Sequence, residues 1–180
     1  GSNCLTTLLS VINNTSALSK KVICNSRKGR VINMSSKLFG IDFGTSVIKI
    51  YKKNSGVIYD SKNIIAVADS DRIIAYGDEA FDMLGKTPSN IEITFPVRNG
   101  VIADIEHMTS LLNSVFAEIE KKHGKIAGSE FIVASPTDIT EVEKRAFVDL
   151  VASSDAKTKK IRIVEKPIAN ALGAGLDVTN

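Results

Sequence analysis

The chain has 180 residues, 43% of them hydrophobic, which is enough to bury a core and excludes a disordered composition. Its formal charge of +3 is unevenly spread: Lys20, Lys21, Arg27, Lys28, Arg30 and Lys37 precede the first acid, Asp42, leaving 17 basic against 20 acidic residues beyond. The body is therefore mildly acidic and no nucleic-acid surface is implied.

Residues 1–36 read as a leader, expected to be disordered. Gly1-Ser2 resembles a cloning remnant, and Met34 before Ser35-Ser36-Lys37 a natural start. Basic, acid-free and rich in Ser and Asn, the leader also fits a targeting segment or a membrane-surface anchor using Leu5, Leu8, Leu9 and Ile12. The run from Leu5 to Ile12 is too short to span a bilayer. Both cysteines, Cys4 and Cys24, lie here, so no disulfide ties the body, as suits a reducing cytoplasm. With His107 and His123 far along the chain, they form no zinc site.

From Lys37 the chain alternates between the periods of strand and helix. Leu38 to Asp42 and Val47 to Tyr51 are apolar, β-branched runs joined by Phe43-Gly44-Thr45-Ser46. Shorter candidates at Val57 to Tyr59, Ile64 to Val67 and Arg72 to Ala75 continue them as a meander. Glu92 to Val97 and Val101 to Ala103 flank Asn99-Gly100, a hairpin signal because both residues accept positive φ.

Met108, Leu111, Leu112, Val115, Phe116 and Ile119 form one stripe of an amphipathic helix stopped near Gly124. Phe131 to Ala134 reads as a buried strand. Thr140 with Glu143 makes a capping box for a helix burying Phe147, Leu150 and Val151. Ile161 to Val164 is a further strand, and Pro167 opens a last helix ending near Gly173 or Gly175. The order predicts an α/β fold: a mixed sheet whose late strands are parallel because helices separate them, interrupted by a small subdomain at about 76–104.

Two places invite chemistry. In Asp42-Phe43-Gly44-Thr45-Ser46 a glycine turn can offer backbone N–H groups to a phosphate, the hydroxyls of Thr45 and Ser46 add donors, and Asp42 can hold a hydrated Mg²⁺. The same residues also suit a plain hairpin with an Asp at its corner. Lys49 belongs either to the wet face of an edge strand or to the phosphates as a point charge. Glu165-Lys166-Pro167 lies at a strand-to-helix switch, where the first helical turn offers unpaired N–H groups.

Leu-Phe-Gly-Ile-Asp-Phe-Gly-Thr (38–45), Gly-Asp-Glu-Ala-Phe-Asp-Met-Leu-Gly-Lys-Thr-Pro-Ser-Asn-Ile (77–91), Pro-Val-Arg-Asn-Gly-Val-Ile-Ala-Asp (96–104), Thr-Glu-Val-Glu-Lys-Arg-Ala (140–146) and Glu-Lys-Pro-Ile-Ala-Asn-Ala-Leu-Gly-Ala-Gly-Leu (165–176) resemble, in order and spacing, the MreB family of bacterial actin homologues. Asp-x-Gly-Thr alone belongs to the whole actin, Hsp70 and sugar-kinase superfamily; the middle segments are specific.

The resemblance implies an actin-like (ribonuclease H-like) fold, with residues 37–180 as the first lobe of an ATPase domain whose second lobe is absent. It further implies ATP and Mg as cofactors, both weakly held by a lone lobe, and self-association into filaments. Such filaments guide cell shape and wall synthesis from the cytoplasmic face of the inner membrane, which adds that membrane surface and wall-synthesis proteins as partners. Asp42, Gly44, Thr45 and Ser46 would clamp phosphate and Mg; Lys49 aligns with the phosphate-reaching lysine of actin. Where the family reads Glu-Glu-Pro this chain reads Glu165-Lys166-Pro167. Lys166 thus stands at the position expected to orient the attacking water, or else points to solvent at a helix start. An ammonium has three donors and no acceptor, so no catalytic base is intact there and hydrolysis is not expected. Two rival readings are a fragment of a superfamily sugar or acetate kinase, and a single-lobe module that caps filaments.

Overall fold

The computed structural model of the chain describes residues 37–166 except residue 70; the leader and the helix foreseen from Pro167 onward lie outside the described residues. β1 (Leu38–Phe43) is buried along almost its whole length, as an apolar run with both faces covered should be. It pairs antiparallel with β2 (Val47–Lys52), which pairs antiparallel with β3 (Gly56–Lys62). On its other side β1 runs parallel to β9 (Glu130–Ser135), and β9 parallel to β10 (Lys160–Glu165). The five-stranded order is β10-β9-β1-β2-β3, a mixed sheet with its late strands parallel, as foreseen.

One face of this sheet carries the main core. Phe39, Ile41 and Phe43 of β1, with Phe131 and Val133 of β9, pack against α2 (Ile105–His123) and α3 (Glu141–Ser153). Phe39 stacks on Phe131 at 5.4 Å between centroids and Phe43 on Phe147 at 5.5 Å. All six apolar residues of the foreseen stripe on α2 are buried. Asp104 caps its start, accepting from His107 N–H, and Gly124, at φ 82, ends it. α3 opens on the capping box of Thr140 and Glu143. The opposite face buries Leu38, Tyr51 and Ile132 and holds an ion pair, Arg162 to Glu130 at 3.3 Å, with both side chains almost out of solvent (11% and 5% exposed).

The five early strands do not form one meander. β4 (Ile65–Ala68) leaves the main sheet and becomes the centre of a second one, order β5-β4-β6, with β5 (Arg72–Tyr76) and β6 (Ile91–Thr94). Ile65 and Val67 face the main core, while Ala66 joins Ile64, Ala75 and Ala80 in a small core of its own. Because β4 is covered on both faces, its sequence gives no alternation that would mark the change of sheet. A five-residue helix, α1 (Asp78–Asp82), follows β5 and was not foreseen, being too short to show a period. The second sheet draws on strands from Ile65 to Thr94.

The single strand expected from Glu92 to Val97 is broken at Pro96, which has no N–H for a ladder. Beyond it β7 (Val97–Arg98) and β8 (Val101–Ile102) form the foreseen hairpin, with Asn99 and Gly100 both at positive φ (52 and 80). No helix among the described residues is long and apolar enough to cross a membrane.

Candidate functional site

β1, β9 and β10 all end at the same edge of the sheet, and the chain order reverses between β1 and β9: β2 and β3 extend one way, β9 and β10 the other. In open α/β sheets the crevice beyond the carboxyl ends at such a reversal is the usual ligand position. Here that edge presents Asp42 near the end of β1, the turn Gly44-Thr45-Ser46, Pro136 after β9, and Glu165-Lys166 at the end of β10. The structure thus brings together Asp42, Gly44, Thr45, Ser46 and Lys166, although the last is remote in sequence.

The turn is tightly tied. Gly44 N–H donates to Val47 O at 2.9 Å, so this amide is spent on closing the turn instead of being offered to a ligand, as the sequence had suggested. A Cβ on Gly44 would stand 2.6 Å from Val47 O, a separation that no real side chain tolerates. Asn63, fully buried after β3, donates from Nδ2 to Gly44 O at 2.8 Å and from its backbone N–H to Ser46 O at 3.0 Å. Its Oδ1 has no partner. Asn63 was missed by sequence reasoning, because a lone Asn between two strands reads as an ordinary turn residue.

The hairpin tip leans on the same turn. Gly100 N–H donates to Thr45 Oγ1 at 3.2 Å, and a Cβ on Gly100 would meet Pro136 Cγ at 3.1 Å. Thr45 and Ser46 are themselves exposed. The loops after β1, β7 and β9 therefore lie close together around two exposed hydroxyls.

The charges form a row. Directly opposed residues on neighbouring strands share a face, so the register Asp42–Lys49–Asp60 across β1, β2 and β3 aligns three charged side chains. Lys49 Nζ pairs with Asp60 Oδ2 at 3.1 Å. Neither orientation foreseen for Lys49 describes this: β3 flanks β2, so Lys49 is not on an edge strand, and its ammonium is held sideways by Asp60. Lys166 Nζ pairs with Asp42 Oδ1 at 2.7 Å, with both side chains mostly covered (25% and 15% exposed). The reading of Lys166 as a solvent-facing lysine is overturned; it lies against the aspartate at the turn. Its neighbour Glu165 goes elsewhere, to Lys144 of α3 at 2.9 Å.

Mg²⁺ does not fit this arrangement. Asp42 would have to hold the metal's water, and an ammonium already lies against its Oδ1. Among the described residues no three His, Cys, Asp or Glu side chains are grouped to take a metal ion instead.

A separate cavity of about 240 Å³ lies between β6, the β7–β8 hairpin and the start of α2, lined by Glu92, Thr94, Arg98, Asp104 and His107 among others. Burial pushes the Asp104 carboxyl up, but hydrogen bonds from His107 N–H and its ring, with the charge on that ring, more than offset this and leave it below the usual carboxylate range. None of the residues from Asp42 to Ser46 lines this cavity.

A sequence model of the MreB/Mbl protein family matches residues 36–180. The chain is 32% identical over 146 residues to the cell shape-determining protein Mbl of Bacillus subtilis, covering 81% of this chain and 43% of that protein. It is 31% identical over 151 residues to the cell shape-determining protein MreB of Escherichia coli, with the same coverage. It therefore spans less than half the length of these curated relatives. Among solved structures, MreB5 of Spiroplasma citri bound to AMPPNP superposes with a TM-score of 0.68 at 29% identity, covering 78% of this chain and 41% of that one. The MamK double helical filament superposes with a TM-score of 0.53 at 18% identity over 69% of this chain and 40% of its own, which bears on the fold alone. With an actin-like α/β fold and a family match over most of its length, the chain belongs to the MreB/Mbl family of cell shape-determining proteins.

Proposed function

We propose that this chain forms the phosphate-facing part of the nucleotide site in an actin-like filament protomer that helps set cell shape, and that bound nucleotide is hydrolysed slowly if at all. The observation that carries this reading is the Lys166–Asp42 ion pair at the carboxyl edge of β1 and β10. It puts an ammonium beside the turn at which strand order reverses, where a nucleophilic water would need an acceptor. Support for a nucleotide comes from the Spiroplasma citri MreB5 structures bound to AMPPNP and to ADP, which share this fold.

In this reading Thr45 and Ser46 present hydroxyls to phosphate oxygens, Gly44 and Asn63 hold the turn in shape, and Lys166 supplies positive charge. The protomer assembles with copies of itself in the cytoplasm along the inner membrane, near wall-synthesis proteins, and nucleotide occupancy more than turnover switches the filament. A chimaera joining this chain to the second half of Bacillus subtilis Mbl provides the test. It should release little phosphate, and Lys166→Glu should raise release by roughly 10²-fold or more, the usual contribution of a positioned general base. Equal release from both proteins would place Lys166 outside the reacting site.

A further inference from the structure

The row of charges at the site leads to a conclusion about metal. Lys166, Asp42, Lys49 and Asp60 alternate in sign: Lys166 pairs with Asp42 at 2.7 Å and Lys49 with Asp60 at 3.1 Å, while Asp42 and Lys49 are opposed in register. Each carboxylate therefore already has an ammonium against it. A divalent cation entering beside Asp42 would have to displace Lys166 or stand next to it, and like charges at such separations repel strongly when partly shielded from water.

Lys166 brings what the metal would otherwise bring. An ammonium has three N–H donors and no acceptor, so while its charge lies against Asp42 it can still donate charge-assisted bonds to phosphate oxygens. Lysine is a compact point charge on a flexible stem, suited to following a phosphate without fixed geometry. Asp42 then anchors Lys166, where in the metal-using arrangement it would orient a metal-bound water.

We propose that this site takes nucleotide phosphate without a divalent metal, with the Lys166 ammonium, held by Asp42, in place of the metal's charge. This rests on reading the Asp42–Ser46 turn as the phosphate site. Metal-free ATP, the more highly charged form, should bind at least as well as its Mg complex.

The test is a phosphorus NMR titration of ATP with the whole chain at constant ionic strength, once in EDTA and once in excess Mg²⁺, with Lys166→Gln run alongside. For the natural chain the dissociation constant in EDTA should equal that in Mg²⁺ within about twofold, or be tighter. Lys166→Gln should weaken binding about tenfold in EDTA, the size of one lost charge-assisted contact, with Mg²⁺ restoring much of it because Asp42 is released. Binding to the natural chain that tightens tenfold or more on adding Mg²⁺ overturns the metal-free site while leaving the phosphate reading intact. Absence of ATP perturbation in both buffers removes the phosphate reading and the inference with it. The comparison on the natural chain stands even if Lys166→Gln does not fold.

Discussion

Replacing Gly44 with alanine tests whether the turn after β1 is set by steric exclusion. The added Cβ would stand 2.6 Å from Val47 O, and Val47 O is the acceptor that closes the turn through Gly44 N–H at 2.9 Å. The turn must open to admit the methyl group. That sacrifices a hydrogen bond worth about 1 kcal/mol and forces backbone distortion worth about 1–3 kcal/mol, so the loss should be about 2–4 kcal/mol. At a urea slope of about 2 kcal/mol per M, the unfolding midpoint should fall by about 1–2 M. Urea unfolding followed by circular dichroism measures it directly.

Asn63→Ala should be run with Gly44→Ala and the double variant, because Asn63 Nδ2 holds Gly44 O at 2.8 Å. Once the turn has opened, the second change has less to remove, so the two losses should fall short of additivity by about 0.5 kcal/mol or more. A midpoint for Gly44→Ala within about 0.3 M of the natural chain, or strict additivity with Asn63→Ala, would refute the reasoning.

Arg162→Met should cost about 3–5 kcal/mol, because it leaves Glu130, 5% exposed, without its cation; Arg162→Met with Glu130→Leu should recover most of the loss, and urea midpoints distinguish the two outcomes. Burial, reinforced by the charge of Glu118 and opposed by a hydrogen bond to Ser61, pushes the Tyr59 hydroxyl up from 10.0 to about 12. Since the folded value lies above the unfolded one, its contribution to stability is fully present below about pH 10 and is lost as pH rises through about 12. Thermal unfolding between those values should fall less steeply for Tyr59→Phe than for the natural chain, and parallel curves would show that another group governs the alkaline limit.

How much of this could be read from the sequence depends on how local each signal is. The stripe on α2 and the capping box of α3 involve residues within a turn or two of each other, so both were visible and both are present. The Asn99-Gly100 hairpin was visible for the same reason, since its two positive φ values need those residue types. The transfer of β4 into a second sheet was not visible, because Ile65 to Ala68 is buried on both faces and four apolar residues name no partner strand. At the site, the glycine turn and its hydroxyls could be named from Asp42 to Ser46, and the oddity of Lys166 could be seen from its place before Pro167. Residue by residue the chain gave no sign of their meeting, which only the family resemblance implied. The Lys166–Asp42 pair requires β10 to lie two strands from β1 with both ending at one edge, which only the sheet order β10-β9-β1 creates. The lateral capture of Lys49 by Asp60 depends in the same way on the β2–β3 register.

The central claim, that nucleotide phosphate sits at the reversal of strand order, is tested most directly by mapping amide chemical shifts of the chain as ATP is added. The account predicts that the largest changes fall on Gly44, Thr45, Ser46 and Lys166, with Gly100 following through its bond to Thr45. Changes confined to Glu92, Arg98, Asp104 and His107 around the cavity beside α2, with the β1–β2 turn silent, would contradict it.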